Sequence, residues 1–105
     1  MNLSPEAHVS GADQIVTVSG VVDREAAHEI DALVRAGMSE APSGLVIDVS
    51  HVTEVSGALI GALMRASRQM AWRNRQLTIV CPQPELRRRL EIAGLDELAK
   101  LSPPA

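Results

Sequence analysis

A chain of 105 residues has the length of one domain and leaves no room for a second. Its net charge of −3 excludes the broad basic surface that nucleic-acid binding requires. Trp72 is the one aromatic residue and Cys81 the one cysteine, so the core must be aliphatic. Neither an intramolecular disulfide nor a multi-cysteine metal site can form.

Residues Met1 to Val9 include Pro5 and Glu6 and no apolar run, which predicts no signal peptide. No later window reaches the ~20 apolar residues of a membrane helix, so the expected location is the cytoplasm, without membrane insertion. Ala7 to Val9 can form a short edge strand, followed by a turn at Gly11, Ala12 and Asp13. The β-branched run Ile15-Val16-Thr17-Val18 predicts a strand from Gln14 to Val18. Asp23 is placed to cap a helix running to about Met38, with Ala26, Ala27, Ile30, Leu33 and Val34 as its apolar stripe. Pro42, Ser43 and Gly44 read as a loop. Leu45 to Val49 is apolar apart from Asp48, the pattern of a central strand covered on both faces.

Residues 50 to 56 read as a loop ending on Ser56, a favoured N-cap for the long helix from Gly57 or Ala58 to about Arg73. Leu59, Leu63, Ala66 and Met70 form its main stripe. Trp72 falls with Gly61, Arg65 and Arg68 on the opposite side. A lone tryptophan is expected to pack at least partly against a neighbour, whereas an exposed one marks an extra contact surface. Asn74 tolerates the left-handed conformation at which helices end.

Leu77 to Cys81 is a third strong strand, and Cys81 at its end is expected to be a buried structural thiol. Pro82 and Pro84 break the strand and open a helix through about Ile92, which Gly94 ends. Its basic run, Arg87 to Arg89, is balanced at i,i+4 spacing by Glu85 and Glu91 and reads as a solvated face. Asp96 to Leu101 is expected to be one or two further helical turns, and residues 102 to 105 a frayed tail. Strands alternating with helices imply βαβ units and a mostly parallel sheet. The reading is a single domain over residues 1–105 with its core in 14–101.

Enzyme signatures are weak. Gly57 and Gly61 lie on one helix with no following Lys-Ser or Lys-Thr, so they form a small packing face and not a phosphate loop. His8, His28 and His51 stand on different elements, without metal-ligand spacing. Asp48, His51 and Ser56 could be strung into a triad, but Asp48 and Ser50 share a strand face while His51 falls in a loop, so chance composition is the expected explanation. A non-catalytic binding module, without cofactor, is the expected class.

Leu45-Val-Ile-Asp-Val-Ser-His-Val52 resembles the strand before the signature of STAS domains, apolar-apolar-Asp-Leu-Ser-x-Val. Ser19-Gly20-Val21-Val22-Asp23 resembles that family's Gly-x-Leu-Asp. Leu77-Thr-Ile-Val-Cys-Pro82 and Leu86 to Asp96 resemble its closing strand, proline, helix and Gly-Leu ending. Together these segments lie within residues 14–101. The resemblance implies a small α/β fold, a four-stranded mixed sheet with helices packed against it, and the role of an anti-sigma factor antagonist.

The family signature Asp-Ser-Ser-Gly-Leu-Gly opens the long helix, and its first Ser is the phosphoacceptor in kinase-regulated members. An ungapped alignment from Asp48 lays it on Ser56-Gly57-Ala58-Leu59-Ile60-Gly61. Gly57 then occupies the acceptor position and cannot be phosphorylated. Sliding the motif by two residues requires gaps and places Val55 there instead. Glu54 stands where the family usually has an apolar residue.

By resemblance, Asp23, Arg24, Ser56, Gly57, Ala58, Ile60 and Gly61 form the docking surface for an anti-sigma factor of the serine-kinase type. Two other roles fit the family: a separate STAS subunit of a lipid-transport ATPase complex, or a small-ligand binder.

Overall fold

The computed structural model describes residues 7–12, 14–40 and 44–102. The elements in chain order are β1 (His8–Ala12), β2 (Ile15–Gly20), α1 (Arg24–Glu40), β3 (Gly44–Val52), α2 (Gly57–Trp72), β4 (Gln76–Val80), α3 (Pro84–Ile92), a 3-10 turn (Leu95–Glu97) and β5 (Lys100–Ser102). The sheet has the order β1-β2-β3-β4-β5. β1 runs antiparallel to β2, and the other pairings are parallel. This is the expected mixed α/β architecture, with five strands where four were anticipated.

The additional strand, β5, replaces the last expected helical turns. Only Leu95–Glu97 stays helical, and the chain then extends so that Thr78 faces Lys100 and Val80 faces Ser102. The Cys81 N–H donates to the Ser102 carbonyl at 2.9 Å, so Ser102 belongs to the sheet and not to a tail. Residues 103–105 of the anticipated tail lie outside the described residues, as do Met1 to Glu6 and the loop residues Pro42 and Ser43. β1 extends through Gly11 and Ala12, where a turn was expected. The reversal falls beyond them, at Gln14, whose φ of 68° is left-handed. Asp13 is outside the described residues.

The helices cover one face of the sheet. Val16, Val18, Leu45, Ile47, Val49, Leu77 and Ile79 point into a core shared with Ile30, Val34, Leu59, Leu63, Ala66, Met70, Leu86 and Leu90. Aliphatic side chains fill it, as a chain with one tryptophan requires. The alternate residues Thr17, Ser19, Val46, Asp48, Ser50, Thr78 and Val80 are half-exposed. β3 is therefore covered on one face, not two. Its outward Val46 and Asp48 hold the period-2 alternation that its apolar inward residues masked.

α1 packs over β1, β2 and β3, and α2 over α1 and β4. Close approach explains one glycine. A Cβ on Gly37 would lie 2.7 Å from Leu45 Cδ2, so glycine lets α1 settle on β3 without the Leu45 side chain having to shift. The predicted stops also form: Asn74 has φ 55° and Gly94 φ 83°, the left-handed conformation that closes a helix.

Candidate functional site

β3 gains one residue relative to β2. Thr17 pairs with Asp48, yet Ser19 pairs with His51, so a bulge falls at Val49 and Ser50. Asp48 holds it: Oδ1 accepts from the Ser50 N–H at 2.9 Å and from Ser50 Oγ at 2.6 Å. Gln83, at the start of α3, donates from Nε2 to the Val49 carbonyl at 2.8 Å and the Val52 carbonyl at 3.0 Å. The bulge turns both Val49 and Val52 into the core and fixes where the chain leaves the sheet for α2.

That exit loop is tied to the β2–α1 loop. The Thr53 N–H donates to the Gly20 carbonyl at 3.0 Å. Ser56 Oγ donates to the Val22 carbonyl at 2.7 Å and accepts from the Leu59 N–H at 3.1 Å. Ser56 is thus the N-cap of α2, in extended conformation, and also a strut to α1. Asp23 caps α1, its Oδ1 accepting from the Ala26 N–H at 2.8 Å. The two helix N-termini are held side by side, and their unpaired N–H groups give this end of the domain a positive potential.

Between the helices lies an open groove of about 750 Å³, lined by Arg24, Ala27, His28 and Asp31 of α1 and Gly57, Ala58, Gly61 and Arg65 of α2. Of the residues singled out in the sequence, Arg24, Gly57, Ala58 and Gly61 meet there. Asp23 is exposed at the rim, and Ser56 works beneath as cap and strut. Ile60 is half-buried against the core and does not line the groove. Besides Arg65 of α2, three lining residues of α1 were missed, Ala27, His28 and Asp31. They follow from the i, i+3, i+4 and i+7 spacing from Arg24, once α1 is known to lie along α2.

Arg65 Nε reaches both Asp31 carboxylate oxygens, at 3.3 and 3.2 Å, and closes the far end of the groove. Gly57 is exposed at the near end, and a Cβ built on it meets nothing within 4 Å. The site thus has a shallow small-residue floor, two helix N-termini and Arg24, which pairs with no carboxylate among the described residues. That arrangement suits an edge of another protein bearing acceptor groups.

The suggested triad takes another form. Ser50 Oγ donates to Asp48 and lies 3.2 Å from His51 Nδ1, with His51 inside β3 and not in a loop. The serine sits between acid and imidazole, which is not the serine–imidazole–acid order of a triad, and Ser56 is engaged as cap and strut. Arg87 pairs with Glu91 at 3.7 Å, whereas Glu85 and Arg89 form no ion pair. Cys81 is buried, and burial pushes its thiol above the usual range. Among the described residues there is no group of three or more acids, histidines or cysteines that could hold a metal ion, and no helix long and apolar enough to cross a membrane.

The family model described as "Mlab, STAS domain" matches residues 7–102. No curated protein matches the chain. Among solved structures, an anti-sigma factor antagonist from Mycobacterium paratuberculosis is similar at 26% identity and a TM-score of 0.74, over 96% of this chain and 87% of that one. The Bacillus cell fate determinant SpoIIAA in its phosphorylated form shares the fold at 14% identity and a TM-score of 0.68, over 92% and 91% of the two chains. The Thermotoga maritima protein TM1081 does so at 16% identity and a TM-score of 0.70, over 94% and 86%. With a family model spanning nearly its whole length, the chain belongs to the STAS domain family.

Proposed function

We propose that this chain is a non-catalytic, cytoplasmic protein-binding regulator of the anti-sigma factor antagonist kind. It docks an anti-sigma factor of the serine-kinase type through the α1–α2 groove and is not switched by phosphate there. The observation that carries this reading is Gly57. It occupies the first turn of α2, exposed at the groove, and has no hydroxyl; the ungapped alignment lays the phosphoacceptor of the STAS signature on it. SpoIIAA is known in phosphorylated and unphosphorylated forms, so members of this fold do carry the modification.

A phosphate at this place would add a charge of about −1.5 to −2 that the helix N-terminus stabilises and a partner surface repels. Without an acceptor the chain stays available, and its output follows its amount or the state of its partner. Permanent availability also fits a second reading, a fixed STAS subunit of a lipid-transport ATPase complex.

Titration calorimetry of the purified chain against the serine-kinase anti-sigma factors of its source organism separates the two. Binding that is lost in Gly61→Arg, where the new side chain crosses the groove floor, supports the first reading. Binding to none of them, with stable co-purification of an ATPase, supports the second.

A further inference from the structure

Trp72 is 90% exposed, the reverse of the packing expected of a lone tryptophan. It closes α2 at the end opposite the groove, 15 residues or about 22 Å along the helix from Gly57. An open depression of about 460 Å³ surrounds it, lined by Arg35 of α1, by Arg68, Gln69 and Trp72 of α2, and by Arg73 just beyond. Arg68 stands one turn before Trp72, on the same face.

Arg73, at the C-cap, complements the negative end of the α2 dipole. Arg35 and Arg68 have no such role, since both precede the last turn of their helices. None of these three arginines pairs with a carboxylate among the described residues. In a chain of net charge −3, three unpaired guanidinium groups around a bare indole form a local reversal of sign.

We propose that this patch is a second docking surface, independent of the groove, for an acidic peptide segment of a partner protein in which carboxylates flank an apolar residue. Charge complementarity sets the sign: guanidinium forks take carboxylates in bidentate pairs, and Trp72 supplies the apolar face. Tryptophan and arginine are also the residue types that dominate protein–protein hot spots. The depression is too open to cover most of a small molecule, as a ligand pocket does. A lone tryptophan lacks the broad apolar face that a helix inserts into a bilayer. The acidic remainder of the domain opposes a nucleic-acid strand.

Trp72 is the only aromatic residue, so its fluorescence reports this patch alone. The probe is an acetylated, amidated octapeptide, two repeats of Glu-Leu-Glu-Glu, titrated into the full chain. A version with lysine for glutamate, phosphatidylglycerol vesicles and an oligothymidylate serve as comparisons. The expected result is a saturable blue shift of Trp72 emission with the acidic peptide only. Arg68→Glu or Arg35→Glu weakens it at least about tenfold, and Gly61→Arg leaves it unchanged. The two charge reversals lie on different helices, and circular dichroism identifies which of them folds. No shift with the acidic peptide, an equal shift with the lysine peptide, or a response confined to vesicles or oligonucleotide overturns the proposal.

Discussion

Ser56 joins two backbone segments with one hydroxyl, capping α2 at Leu59 and holding the carbonyl of Val22. Replacing it with alanine removes a cap and leaves a partly buried acceptor unpaired. Ser56→Ala should therefore cost about 1–2 kcal/mol, read as a lower urea midpoint at unchanged m-value. Gly57 predicts the opposite sign. Its Cβ direction is open, so Gly57→Ala should stabilise the domain by about 0.5 kcal/mol by restricting the unfolded chain. A glycine kept there for its backbone conformation would instead lose stability on that change. Cys81 carries a pH prediction. Its thiol is raised, first by desolvation, so the unfolded state ionises before the folded one. Stability from this group is present below the ordinary thiol range and is lost as pH rises through the higher folded value. An alkaline decline in unfolding midpoint that disappears in Cys81→Ala is the expected measurement.

At the scale of elements, the bulge in β3 sets the direction in which the chain enters α2, and Gln83 clamps it from another segment. Gln83→Ala leaves the Val49 and Val52 carbonyls without their side-chain donor. It should cost about 1–3 kcal/mol, with hydrogen exchange rising first at Val52 and Thr53. The strong elements were legible in the sequence because each carries its own period: β2 through its β-branched run, α1 and α2 through stripes and caps at Asp23 and Ser56. β5 was not legible. Lys100-Leu101-Ser102 is too short for a period and is a strand only because β4 offers an unpaired edge. The extra residue in β3 was hidden for a related reason, since a bulge is a property of register between two strands and neither strand states it alone. The exposure of Trp72 was left open because helix phase shows only which side it takes. Whether another element covers that side depends on tertiary placement.

In the whole molecule, the parallel crossovers bring the starts of α1 and α2 to one end, where loops from β2 and β3 are bonded together. The sequence placed Arg24, Gly57, Ala58 and Gly61 at this end through resemblance, and the structure adds the reason they are neighbours. His28 and Asp31 escaped because nothing in the sequence says that α1 lies along α2. The central claim is that a STAS domain with this groove docks its partner without a phosphate switch at Gly57. The most direct test incubates the wild-type chain and Gly57→Ser, separately, with the anti-sigma factor and ATP, followed by intact-mass spectrometry and gel filtration. Open space at Gly57 lets the serine enter without displacing a neighbour. The account predicts that the wild type keeps its mass and stays bound, while Gly57→Ser gains one phosphate and is released. A stoichiometric phosphate on the wild type, mapped to Ser56 or Thr53 and accompanied by release, would contradict it.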